Sequence, residues 1–333
     1  MRTGYLDTNR YRSYFIVGGA GFIGSHFTDK LLGDEHIVRV TLFDNFSSGR
    51  EWHFETHRLR GDDRLKVIHA HADNLNVLTD AMRDHDIVIH LASNPDIARS
   101  VKDPEVDFYQ GTALTNNVLE AMRRSGVPRL LYASGSGVYG EQGDTLLSED
   151  HGPLLPVSTY GASKLAGEAL IASYCAMFGL TACAFRFGNV VGARQTHGVG
   201  FDFVRRLNAD SSQLRILGDG RQSKCYVHVS DVVDAVLFVC ETVKSGFSVF
   251  NVATTDAITV TEIAEMTVEC LGLNPGPRLE YTGGDRGWKG DVPVVRLDTA
   301  RIRALGWQPK LNSREAIHRS LRELIADERI LAQ

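Results

Sequence analysis

A glycine-rich turn set between a strand and a helix constrains this chain more than any other feature. Gly18-Gly19-Ala20-Gly21-Phe22-Ile23-Gly24 follows the compact apolar run 14–18 (YFIVG) and opens a helical pattern that reaches about residue 32. In that setting Gly18, Gly21 and Gly24 let the chain turn tightly, bring backbone amides near a pyrophosphate, and let the helix pack closely on the sheet. The helix start adds free N–H groups and a partial positive charge. Asp44 ends the next apolar run, 20 residues after Gly24. A carboxylate there accepts hydrogen bonds from both ribose hydroxyls of an adenosine and repels a 2′-phosphate. Strand, turn, helix and acid together predict a site for NAD rather than NADP.

The runs 38–43, 65–69, 86–92, 129–134 and 181–187 are apolar without polar alternation, and helical patterns separate them. Such strands predict an α/β fold with a doubly wound parallel sheet covered on both faces. After about residue 186 the rhythm loosens. Helices are expected near 199–208, 232–243 and 261–271, among two clusters of glycines. The expected division is a cofactor domain over 1–185 that takes back about 225–255, and a smaller α/β substrate domain from 186–224 and 256–333.

Composition narrows the class. The 333 residues are 43% hydrophobic and 23% charged, which excludes a disordered or collagen-like chain. A chain of this length buries a core without disulfides or metal. The formal net charge of −5 argues against a general nucleic-acid binder. No apolar run nears the roughly 20 residues of a membrane span, and the polar start, MRTGYLDTNRYRS, has no signal-peptide core. Cys175, Cys183, Cys225, Cys240 and Cys270 are odd in number, scattered, and never in a C-x-x-C pair. Free thiols in a reducing cytoplasm are therefore expected, with no metal site.

Tyr160 and Lys164 stand four residues apart at the start of a helical run, so both side chains share one face. A phenol with a pKa of about 10 is a poor base. A nearby ammonium would lower that pKa and make Tyr160 a usable proton acceptor and donor.

The segments VGGAGFIGSH, LFDNFSSG, HADN, HLAS, YASGSGVYG, YGASK, FRFGNVVG, GDGRQSKCYVHVSDVVDA and LGWQP, in this order, resemble the extended short-chain dehydrogenase/reductase family. The likeness is to its nucleotide-sugar epimerases and dehydratases, and runs from about residue 14 to about 320. It implies a Rossmann fold and a tightly held NAD contacted by Gly18, Gly21, Phe22, Ile23, Gly24, Asp44 and Asn45, with Ser47 and Gly49 nearby. It places Asp73 and Asn74 beside the adenine and Leu91, Ala92 and Ser93 beside the pyrophosphate. Lys164 would bind the nicotinamide ribose, and Tyr160 would reach that ribose and the sugar hydroxyl. Asn189 would touch the nucleotide-sugar. Lys224 stands where the family usually has an arginine facing the diphosphate, keeping the charge but losing the bidentate fork. Arg286 would be a second phosphate contact. Arg194 and His197 follow Asn189 and would face the sugar, supplying a cation for a hexuronate carboxylate. Family members usually dimerise through a four-helix bundle, here the helix near 106–124 and the one bearing Tyr160.

One departure matters. The family's third catalytic residue is a Ser or Thr four positions before the tyrosine of the V-Y-G motif; here that position is Gly135. Ser134 and Ser136 flank it, and either is a candidate for the missing hydroxyl, although successive strand residues point to opposite faces. The resembling 4,6-dehydratases carry Asp-Glu where this chain has Ser136 and Gly137, and the related decarboxylases carry a glutamate at the Gly137 position. The resemblance therefore implies a C4 epimerase of a nucleotide-linked hexose or hexuronate, UDP-linked, working through a 4-keto sugar that turns over about its pyrophosphate. The rivals are a nucleotide-sugar 4-dehydrogenase or dehydratase, and a non-catalytic NAD-binding regulator.

Overall fold

A computed structural model describes residues 11–331 of the chain, so most of the polar N-terminal stretch lies outside it. Seven strands form one sheet: β1 (Ser13–Val17), β2 (Arg39–Asp44), β3 (Leu65–His69), β4 (Ile87–His90), β5 (Arg129–Gly135), β6 (Thr181–Phe187) and β7 (Phe247–Val252). All pairings are parallel, in the spatial order β7-β6-β5-β4-β1-β2-β3. The longer helices are α1 (Phe22–Leu32), α2 (Leu75–Met82), α3 (Leu114–Ser125), α4 (Thr159–Phe178), α5 (Val199–Ala209), α6 (Val229–Thr242), α7 (Val260–Cys270) and α8 (Ser313–Ile325).

β1 is buried along its whole length because helices cover both of its faces. Alternate residues feed two cores. Ile16, Leu42 and Phe185 pack with Phe27 and Leu31 of α1 and Val232 and Val236 of α6. Phe15, Val88 and Leu130 pack with Leu78 of α2, Val118 and Met122 of α3, and Ile171 of α4. A fully buried side chain such as Phe27 contributes about 1.5–3 kcal/mol to this packing. The observed α6 begins three residues before the expected start, because the His228 ring accepts the Ser230 N–H and caps the helix at 3.2 Å.

The chain builds outward from β1 to β3, then returns to the other side of β1 as β4. That reversal opens a crevice at the carboxyl ends of β1 and β4, where open α/β sheets bind ligands. A third core, with Phe203, Leu207, Ile216, Ile263, Ile317 and Leu321, joins α5, α7 and α8 into a cap. Short ladders stitch this cap to the sheet: Asn189–Val191 pairs with Tyr226–His228, and Leu146–Leu147 with Arg296–Leu297. All five cysteines are free, and no helix among the described residues is long and apolar enough to cross a membrane.

Candidate active site and cofactor cleft

Gly18 turns the chain at a φ of 83°, and a Cβ there would lie 2.7 Å from the Ala92 nitrogen. At Gly24 a Cβ would sit 2.5 Å from the Gly19 carbonyl oxygen, so only glycine lets α1 start this close to the turn. Gly21 is the N-cap of α1 and offers no side-chain cap, which leaves the first N–H groups of the helix, around Phe22 and Ile23, facing the crevice mouth. Asp44 is held at the end of β2: Ala20 N donates to Oδ2 at 2.9 Å and Phe46 N to Oδ1 at 2.8 Å. Burial raises its pKa, and the two backbone donors oppose that rise. A Cβ on Gly49 would lie 2.9 Å from Asp44 Oδ1, so the 45–50 loop presses on the carboxylate. Asn45 shapes that loop by accepting the Ser47 N–H at 2.9 Å.

Leu91 and Ala92 continue β4, donating to the Val17 carbonyl at 2.9 and 3.0 Å. Asp73 and Asn74 lie exposed after β3, and Asn74 caps α2 by accepting the Val77 N–H at 3.2 Å. The chemistry of this donor set fits a dinucleotide: glycines that admit a backbone-close ligand, an uncapped helix start for phosphate, and an oriented acid for ribose.

α4 carries the tyrosine and lysine. Ser158 caps it, accepting the Gly161 N–H at 3.1 Å. Lys164 is 3% exposed, donates to the Ala133 carbonyl at 2.8 Å, and lies 5.5 Å from the centre of the Tyr160 ring. Burial lowers the Lys164 pKa to about 8, against an upward pull from Asp107. Tyr160 is half-buried. Its environment moves the phenol opposite to the sequence-based expectation: burial pushes the pKa up, and Asp107 adds to that, while a hydrogen bond with Ser93 pulls it down. Desolvation sets the direction for the phenol, while the Lys164 ammonium donates to the Ala133 carbonyl.

The two serine candidates part company. Ser134 points beneath α4, where its Oγ donates to Glu168 Oε1 at 2.6 Å. Arg186 of β6 completes this buried knot with bonds of 3.0 and 2.7 Å to the same carboxylate. The Ser134 hydroxyl is thus committed to this buried knot. Ser136 lies half-buried just after β5, and its hydroxyl makes no hydrogen bond among the described residues. A Cβ on Gly135 would meet nothing within 4 Å.

On the cap side the structure brings some expected residues together and separates others. Asn189 pairs with Tyr226 in the short ladder, its N–H donating to the Cys225 carbonyl at 3.0 Å. Lys224 Nζ donates to Asp291 Oδ1 at 2.6 Å and lies 5.2 Å from the centre of the Trp288 ring. Arg286 forms a bidentate pair with Glu141 at 2.9 and 2.8 Å and donates to the Asp291 carbonyl at 3.1 Å. Lys224 and Arg286 thus meet around one aspartate. Arg194 does not face the sugar region: it pairs with Asp29 of α1 and donates to the His53 carbonyl at 2.8 Å. His197 reaches solvent at one edge, and desolvation by the surrounding protein lowers its pKa.

Sequence reasoning missed Asp107, Glu141 and Trp288. Asp107 is 1% exposed, accepting from Asn94 Nδ2 at 2.9 Å and from Thr159 Oγ1 at 2.6 Å. A lone acid after Asp103-Pro104 carries no spacing that marks it; only the packing of three segments shows its place.

The fold and the cleft define a dinucleotide-dependent α/β enzyme with a tyrosine–lysine helix at the mouth of the crevice. The family model described as NAD dependent epimerase/dehydratase matches residues 14–253, and the chain belongs to that family. The UDP-glucose 4-epimerase of Mycolicibacterium smegmatis is 32% identical over 315 residues, covering 92% of this chain and 96% of that protein. A solved UDP-galactose 4-epimerase superposes with a TM-score of 0.83 at 33% identity, covering 94% of this chain and 98% of the other. MoeE5, solved in complex with UDP-glucuronic acid and NAD, superposes with a TM-score of 0.81 at 30% identity, covering 93% and 97%.

Proposed function

We propose that this protein is an isomerase that inverts C4 of a UDP-linked hexose, using NAD held between the glycine turn, Asp44 and the β4 end. Bound NAD supplies a reversible hydride acceptor. Everything else falls to the chain: holding the sugar, moving one proton, and keeping the nucleotide anchored while the sugar turns. Tyr160 takes and returns the proton of the 4-hydroxyl, and Ser136 orients that hydroxyl in place of the residue at Gly135. Lys224 and Arg286 would anchor the diphosphate once it displaces Asp291 and Glu141 as their partner. The cofactor domain is residues 1–185 with 225–255, and the rest forms the sugar cap.

The observation that carries epimerisation over elimination is the disposition of carboxylates. Elimination of water needs an acid and a base at the sugar. Ser136 and Gly137 occupy the positions just beyond β5, and the nearby carboxylates are tied down: Glu168 to Arg186, Asp107 to Thr159, Glu141 to Arg286 and Asp291 to Lys224. Of the two residues offered as a cation for a hexuronate, Arg194 pairs with Asp29 and burial lowers the pKa of His197. A neutral hexose is the better fit.

Exposed Ala162, Ala169, Ala176 and Met177 along α4, with Phe108 and Tyr109 before α3, support a homodimer through these two helices. The free thiols support a reducing, cytoplasmic setting.

Incubating the purified protein with UDP-glucose and following the anomeric signals by NMR tests the reading. UDP-galactose should accumulate with no build-up of NADH absorbance. A keto product with NADH, or an unchanged sugar, would overturn it. Tyr160→Phe should lose turnover by at least about a hundredfold while keeping NAD.

A further inference from the structure

A line of hydrogen bonds beside Tyr160 passes through a side chain with no role so far. Ser93 lies near enough to the phenol to pull its pKa down. Its neighbour Asn94 donates to Asp107 Oδ1 at 2.9 Å, and Asp107 Oδ2 accepts from Thr159 Oγ1 at 2.6 Å. Thr159 is the residue before Tyr160 and the first of α4. Three segments meet at Asp107: the loop after β4, its own short helix Glu105–Asp107, and the start of α4.

We propose that Asp107 is a positioning residue for the proton-transfer centre, setting the Ser93–Tyr160 contact by gripping the residue next to each partner. This rests on the reading of Tyr160 as the proton carrier. The geometry argues for it in three ways. Asp107 is 1% exposed, and a buried carboxylate is retained only where its oxygens are satisfied. Its Oδ1 is spent on the loop after β4 and its Oδ2 on the first residue of α4, neither on its own short helix. Asn94 has no freedom to turn its amide, because its Oδ1 accepts the Asp96 N–H at 3.0 Å and its Nδ2 also donates to the Asp96 carbonyl at 2.8 Å. The Asn94 donor therefore has one direction, and Asp107 is the acceptor at its end.

The carboxylate also lies close enough to act on the charge of the centre. Its field favours the protonated forms of both Lys164 and Tyr160, offsetting part of the burial that works against the ammonium. Positioning and charge act together here, and the choice of variants separates them. Asp107→Asn removes the charge and sets an amide N–H2 against either Asn94 or Thr159. Thr159→Val keeps the charge and removes only the hydroxyl that ties Asp107 to α4. Thr159→Ser keeps both.

The test uses the NAD-loaded enzyme and steady-state kinetics with UDP-glucose. Thr159→Val and Asp107→Asn should each lower kcat by about tenfold or more, the scale expected when a reacting group is misplaced by a fraction of an ångström. KM should stay within about twofold of the unaltered enzyme. NAD content and melting temperature should be those of the unaltered enzyme, and Thr159→Ser should restore kcat. Unchanged kcat in Thr159→Val overturns the proposal, as does a loss in Thr159→Ser as large as that in Thr159→Val. A kcat loss that tracks loss of NAD or of folded protein also overturns it, because the role is then structural. Failure of the underlying reading is read separately, since Tyr160→Phe would then remain active whatever Thr159→Val does.

Discussion

Gly135 is the residue at which this chain departs most usefully from the pattern its motifs resemble. Its backbone is extended, with φ −161° and ψ 166°, and a Cβ would meet no atom within 4 Å. Gly135→Ser should therefore fold without strain and gain stability by a few tenths of a kcal/mol to about 1 kcal/mol, the usual effect of replacing glycine at a compatible position. If the place is the catalytic one that the family pattern implies, kcat should rise severalfold. Kinetics and a melting curve on the one variant check both statements. Residues were legible in the sequence where a motif forces its own surroundings. The need for glycine at position 24 was legible because the close approach is to Gly18 and Gly19 beside it, whereas the neighbour that Gly18 admits, Ala92, lies far along the chain. The nearness of Tyr160 and Lys164 was legible because four residues of helix fix their common face. Their electrostatics were not legible, since the pKa directions come from burial and from Asp107, which lies more than fifty positions away. Arg194 shows the same limit. Its position after Asn189 points to the sugar, while its partner Asp29 is 165 positions distant.

At the scale of elements, β5, β6 and α4 are held together beneath the site by an ion pair. Arg186 and Glu168 are only 4% and 5% exposed, and Ser134 supplies a further bond. Burial works against the Arg186 charge, and the Glu168 hydrogen bonds and charge more than offset it, holding the guanidinium above its ordinary pKa. The Arg186 guanidinium also lies 4.7 Å from the centre of the Tyr139 ring. Removing one partner of such a pair leaves a buried charge uncompensated. Arg186→Met should cost about 3–5 kcal/mol in urea unfolding; the Arg186→Met, Glu168→Met double variant should recover part of that loss. Element type and order were legible because the strands of a covered parallel sheet are continuous apolar runs. The short ladders that tie the cap to the sheet were not, because two or three residues carry no period.

For the whole molecule, three histidines are held neutral inside the fold. Burial holds His26 and His53 down to about 4, and His90 down to about 3. In the unfolded chain each titrates at about 6.5. Between these values the unfolded state binds up to three more protons than the folded one, so stability rises with pH through this window and is lost as pH falls from about 6.5 toward 4. Each proton contributes a slope of about 1.4 kcal/mol per pH unit. Glu323, which pairs with His228 and Arg319, has the same sign at lower pH: its pKa of about 2 adds stability that disappears below about 4.5. Melting temperatures from pH 7.5 to 4.5 should fall monotonically and steepen below about 6.5; a flat profile would refute the assignment of these rings as neutral.

Glu323 has one more consequence. Through Oε2 it holds both the Ala193 N–H at 2.9 Å and His228 at 3.1 Å, and the Ala193 carbonyl in turn meets His26 of α1 at 2.8 Å. The helix that begins the cofactor site is thereby braced by a residue near the far end of the chain. During synthesis the first half of the protein can form its sheet early, but that brace is absent until residue 323 has left the ribosome. A chain ending at residue 312 should then be cleaved first within 192–198 by a trace of protease, while its sheet survives. The Glu323 brace can thus form only late in synthesis, although the helix it supports is among the first residues made.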